Sequence, residues 1–129
     1  MNNNLISVAR DNMIRVSALK LNNIVKLIVN QKANKAINQL KFNQKRISLT
    51  VLKVLNAAIA NAENNKQLDI DNLYIKEAFV GKSLSMKRFR PRAKGSASRI
   101  IKPFSKLTII LEERRNLNKD LNKDKEGQK

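Results

Sequence analysis

Nine basic residues and no acidic one fall between Ala78 and Leu111: Lys82, Lys87, Arg88, Arg90, Arg92, Lys94, Arg99, Lys102 and Lys106. Five of them crowd between Met86 and Gly95. Arginine presents a rigid fork of donors that matches two phosphate oxygens at once, and its planar face stacks on bases. Lysine adds a compact point charge. Phe89, flanked directly by Arg88 and Arg90, is an aromatic able to stack on an unpaired base. A charge run is often only a solvated face or a disordered arm. Here the density is high enough to repel itself in water, so a polyanion is the natural counterpart.

The rest of the chain supports that reading. With 27 Lys plus Arg against 10 Asp plus Glu, its formal charge is +17 over 129 residues, well outside the magnitude of roughly 2–8 that suits a small soluble domain. Nucleic acid is the first candidate, because each neutralised phosphate releases a condensed counterion and so yields affinity without base reading. A membrane fits less well: no apolar run approaches the roughly 18 residues of a spanning helix, and MNNNLISVARDN has no secretory apolar stretch.

Catalysis finds few tools. Cys and His are both absent, which removes disulfides, thiolate sites, imidazole ligands and the commonest general base. The acids Asp69, Asp71 and Glu77 are the one cluster in the body, and beside Asn72 they suit capping better than a metal. No phosphate loop or dinucleotide fingerprint occurs. Neither an enzyme nor a cofactor is expected. The richness in Asn, Lys and Ile reads as the bias of an A+T-rich genome.

The elements that must carry the basic run follow from periodicity. Leu21, Ile24, Val25 and Ile28 form the stripe of an amphipathic helix over Ser17 to Val29, with Ser17 as its cap. Ala36, Ile37 and Leu40 mark a short second helix that Asn34 would cap. The strongest pattern runs from Lys45 to Asn64, where Ile47, Val51, Val54, Leu55, Ala58, Ile59 and Ala62 share one face. Its alanines Ala57, Ala58, Ala60 and Ala62 invite another element to approach closely. The period then changes to two. Leu73, Ile75 and Phe79 alternate with polar or small residues, as do Leu107, Ile109 and Leu111, predicting an antiparallel pair. Leu5 to Ala9, with Leu5, Ile6 and Val8, is read as a third strand.

Pro91, Gly81, Gly95 and several serines argue against a helix through the basic run. The economical geometry is a long hairpin rising from the two strands, with its tip near Phe89 to Lys94. At about 3.3 Å per residue, arms of about ten residues reach roughly 30 Å beyond the body. The expected organisation is thus one α+β domain over residues 1–115, with three helices on a three-stranded antiparallel sheet and a hairpin over about 80–106. The polar stretch 116–129 is expected to be a disordered tail.

The string SMKRFRPRAKGSASRIIKPFSKLTIILEE resembles the bacterial-type large-subunit ribosomal protein twenty-two family, whose signature joins SMKR, after a short variable stretch, to RAKGRA and RI. Here Ser85 to Arg88, Arg92 to Gly95, and Arg99 with Ile100 carry it. A second block, Val54 to Asn64, matches the family's central-helix end and precedes the turn Asp69 to Asp71. The likeness covers about Ser7 to Glu113. Three departures stand out: Asn30, Gln31 and Lys32 replace a turn that often holds glycine, Ser96 and Ser98 replace an Arg and an acidic residue, and the stretch from Asn116 extends past the family's usual end.

The resemblance implies a structural protein that binds large-subunit ribosomal RNA, assists assembly and lines the nascent-peptide exit tunnel. Its RNA contacts would include Arg15, Lys20, Lys82, Lys87, Arg88, Arg90, Arg92, Lys94, Arg99 and Lys102. The tunnel-facing tip would be Met86, Lys87, Arg88, Phe89, Arg90 and Pro91, close to where macrolide antibiotics bind. Implied partners are that RNA, neighbouring large-subunit proteins and the nascent peptide, in a ribosome of the bacterial cytoplasm or a mitochondrion, with no membrane and no homo-oligomer. An architectural DNA-binding protein that wedges Pro91 into a minor groove is the alternative on residue types alone. An RNA-modifying enzyme lacks a nucleophile, a base or a cofactor loop.

Overall fold

The computed structural model describes residues 5–114, so the predicted tail 116–129 lies outside the described residues. Three helices cover one face of a three-stranded antiparallel sheet with strand order β1-β3-β2. The strands are β1 (Ile6–Ile14), β2 (Leu73–Pro91) and β3 (Ala97–Glu113), and the helices are α1 (Ala18–Val25), α2 (Ala33–Phe42) and α3 (Ile47–Lys66). The α+β reading is borne out, including the long β2–β3 hairpin.

The core lies between α3, α1 and the inner sheet face. Leu55, Val51 and Ala58 of α3 are buried with Leu21 and Ile24 of α1 and with Leu73, Ile75, Leu107, Ile109 and Leu111. Each large aliphatic side chain so buried contributes about 1.5–3 kcal/mol. The small residues of α3 act as expected at Ala58 and Ala62, which are fully buried. They let β1 come close enough for the Ser7 hydroxyl to donate to the Ala58 carbonyl at 2.9 Å. The Asn61 amide likewise donates to the Val8 carbonyl at 3.2 Å, occupying part of the outer edge of β1.

Several boundaries differ from the periodic reading. Strand β1 continues past Ala9 to Ile14, because β3 offers it partners down to Ser105, with an irregularity between Asp11 and Ile14 that hides the alternation. Helix α1 stops at Val25 although Ile28 remains buried. The next turn tightens, with Leu27 and Ile28 N–H donating to the Ile24 and Val25 carbonyls. The chain then leaves for the edge of β2: Asn30 N–H donates to the Ile75 carbonyl at 2.8 Å, and Ile75 N–H to the Gln31 carbonyl at 3.0 Å. Asn30 has φ 65, the conformation that a glycine would otherwise supply and that Asn tolerates.

Caps differ as well. Ser17 precedes α1 but its side chain makes no capping bond. Lys32, rather than Asn34, stands at the start of α2, because the edge pairing of Gln31 and Lys32 with β2 delivers the chain there. Helix α3 runs through Asn64 and Asn65 and ends only where Gln67 turns left-handed at φ 52. The Asp69 carboxylate accepts from Asp71 N–H and from the Asn72 side-chain amide, the capping role expected of that turn.

The face assigned to Phe79 needs correction. A register shift between Ile75 and Glu77 inserts a bulge, which reverses the alternation. Leu73 and Ile75 face the core, but beyond the bulge Ala78 and Val80 take over that face. Phe79 is left 54% exposed.

Candidate nucleic-acid interface

Strand β1 pairs with β3 only as far as Ser105. Beyond that level β2 and β3 continue alone as a two-stranded ribbon. A second register shift, between Lys82 and Ser85, marks where the ribbon leaves the body. Pro103 is tolerated just past this point because its missing N–H falls on a strand edge that no longer has a neighbour. From Ser83 to Pro91 the ribbon extends by about 30 Å at the usual rise of about 3.3 Å per residue, in line with the expected reach.

Register decides which side chains share a face. Arg88 lies opposite Ile100, Arg90 opposite Ser98 and Met86 opposite Lys102, so one face carries Arg88, Arg90 and Lys102. Lys87 lies opposite Ile101 and Phe89 opposite Arg99, so the other carries Lys87 and Arg99 beside Phe89. Both faces are therefore cationic with apolar surface between the charges. Phe89 is 70% exposed and is not folded back onto its own arm. Arg88 lies along the strand, donating to the Lys87 carbonyl at 3.0 Å. Among the described residues none of the hairpin cations has an acidic partner; Glu112, which holds Lys76 and Arg114, stands at the far end of the sheet.

The chain reverses at Arg92 to Ser96, at the far end of the tip expected near Phe89 to Lys94, and Met86 to Pro91 lie in β2 just before the turn. The reason is backbone geometry: Lys94 at φ 63 and Gly95 at φ 72 supply two consecutive left-handed residues, whereas Pro91 still pairs with Ala97. Arg92 N–H donates to the Ser96 carbonyl at 2.8 Å. The two serines that depart from the familiar signature fasten this turn: Ser96 Oγ donates to the Ala93 carbonyl, and Arg92 Nε donates to Ser98 Oγ at 3.1 Å.

The remaining expected contacts are scattered over the body. Lys82 is exposed at the foot of the ribbon, Arg15 is exposed just after β1, and Lys20 is exposed on α1. Lys102 is half-buried. A cationic stretch that periodicity did not single out joins α2 to α3, where Lys41, Lys45 and Arg46 are exposed beside Phe42, itself 84% exposed. The string KFNQKR carried the signal, an aromatic between cations in a short connection.

Residues 9–112 match the family model of ribosomal protein L22p/L17e. The chain belongs to this family. It is 53% identical over 107 residues to large ribosomal subunit protein uL22 of Pelagibacter ubique, covering 83% of this chain and 81% of the relative. Against the same protein of Maricaulis maris the identity is 55% over 105 residues, covering 81% and 83%. Against that of Methylobacterium nodulans it is 54% over 107 residues, covering 83% of each. As an L22p/L17e member the chain is a bacterial-type ribosomal protein and not an enzyme, and the architectural DNA-binding alternative falls away. Among the described residues no helix is long and apolar enough to cross a membrane.

Proposed function

We propose that the chain acts within the large ribosomal subunit by binding its ribosomal RNA, assisting assembly and lining the nascent-peptide exit tunnel with the hairpin. The observation that carries this is the acid-free ribbon, which presents cations on both faces and projects beyond any surface on which it could pack. Such a ribbon is satisfied only when polyanion surrounds it, and a structured RNA core does so from both sides. Exposed Phe89 gives one face a platform for an unpaired base. The body, residues 1–115 apart from the hairpin, anchors the ribbon as a single domain that also meets neighbouring subunit proteins. The outermost ribbon, Met86 to Pro91 with the turn beyond it, approaches the nascent peptide.

Two measurements test this. Crosslinking in cells at Lys87, Arg88, Arg90 and Arg92, followed by sequencing, is expected to recover large-subunit RNA near the exit tunnel. Scattered recovery from unrelated RNA or DNA would overturn the proposal. Deleting residues 84–96 is expected to leave the body folded while slowing subunit maturation; normal maturation would remove the assembly role.

A further inference from the structure

The body carries a second cationic feature, at the root of the hairpin rather than along it. A groove of about 270 Å³ is lined by Met13, Ile14 and Arg15 from the end of β1 and by Arg46, Ile47 and Thr50 from the start of α3. Its two arginines come from positions 31 residues apart in sequence, and no acidic residue lines it. Neither guanidinium has an ion-pair or hydrogen-bond partner among the described residues. Asp11, the nearest acid along β1, directs its carboxylate to Met13 N–H at 3.1 Å.

Both arginines spring from fixed backbone. Arg15 is the centre of a tight turn in which Val16 N–H donates to the Ile14 carbonyl at 2.9 Å. Its neighbours Ile14 and Val16 are both buried. On the other wall, the Asn43 side chain accepts from Lys45 N–H at 3.0 Å, and Leu49 N–H donates to the Arg46 carbonyl. The N–H groups of Ser48 and Leu49 are thus already engaged within the chain, and the two guanidinium groups are the charged donors on offer. Two unpaired like charges held at one groove repel each other until an anion lies between them, and their forks suit phosphate oxygens. Thr50 brings a hydroxyl to the same wall.

The groove also touches the ribbon. Met13, which lines it, lies against Ser83, with Sδ and Oγ 4.0 Å apart, and Ser83 sits at the register shift where the ribbon departs. We infer that Arg15 and Arg46 together seat one backbone phosphate of the large-subunit RNA at the foot of the hairpin, clamping the strand that the ribbon enters. This inference rests on the RNA-binding function proposed above and assigns it a site on the body, with Arg46 as a member.

The test is a salt titration of full-length protein binding to large-subunit ribosomal RNA from the same cells, with R15Q, R46Q and R15Q/R46Q compared with wild type after melting curves have shown all four folded. Each phosphate neutralised contributes about 0.7–0.9 to the slope of log affinity on log salt. A shared phosphate predicts that the double variant loses about one such increment while each single loses less, because the remaining arginine still holds the phosphate. Unchanged slope in the double variant, or single losses that sum to two increments, would overturn the clamp while leaving the RNA-binding function intact. Wild type showing no salt-dependent binding to this RNA would instead overturn the function on which the clamp rests.

Discussion

The Ser105 hydroxyl donates a 2.6 Å hydrogen bond to the carbonyl of Val16, 89 residues away in sequence and fully inside the protein. Ser105 is also the last residue of β3 to pair with β1, opposite Ile14. One bond therefore ties the place where β1 yields to α1 to the place where the ribbon enters the body. Replacing Ser105 with Ala leaves a buried carbonyl short of its donor, at an expected cost of about 1–3 kcal/mol. The urea midpoint should fall with an unchanged slope of the transition; an unmoved midpoint would remove this bond from the account of how the hairpin is anchored.

Helix α3 makes a sharp contrast within a few residues. Leu55 is fully buried, whereas Leu49 lies on the exposed side of the same helix. Leu55→Ala is expected to cost about 2–5 kcal/mol through lost burial and a residual cavity, while Leu49→Ala stays within about 0.5 kcal/mol. Thermal melting of both variants compares them directly, and similar losses would contradict the placement of α3.

The bulge after Ile75 predicts an inverted tolerance. Phe79→Ser should change stability by no more than about 0.5 kcal/mol because the ring already faces solvent. Val80→Ser, on the inner face, should cost about 1–2 kcal/mol by loss of apolar burial. Chemical denaturation ranks the two, and the opposite order would restore an uninterrupted alternation from Leu73.

Gly95 turns at φ +72, and a Cβ built there would meet nothing within 4 Å. Its requirement is thus conformational rather than steric crowding from neighbours. Gly95→Val is expected to cost about 1–2 kcal/mol, confined to the hairpin. Hydrogen exchange should quicken at Arg92 N–H, which closes the turn onto Ser96, while the melting temperature of the body stays put. A matching loss in the body would show that the ribbon and the body fold as one cooperative unit.

Much of this architecture is legible in the sequence. The stripe from Ile47 to Ala62 announced α3, the change of period at Leu73 announced the sheet, and the acid-free run around Arg88 announced a hairpin built for a polyanion. These are local signals: a side-chain period or a charge density is complete within a few turns or a few residues. The ends of elements were not, because long-range partners decide them. Helix α1 stops where Ile75 captures Asn30, and β1 continues through polar Arg10 and Asp11 because β3 is there to pair with them.

By itself the sequence determined the class of fold, the face that α3 buries and the chemistry of the hairpin, since composition and periodicity act through solvent and nearest neighbours. Tertiary structure alone decided that Phe79 faces water and that Arg15 meets Arg46 across one groove. Each of these depends on backbone pairing or on two distant segments arriving at the same place, and no local pattern of side chains encodes such an encounter.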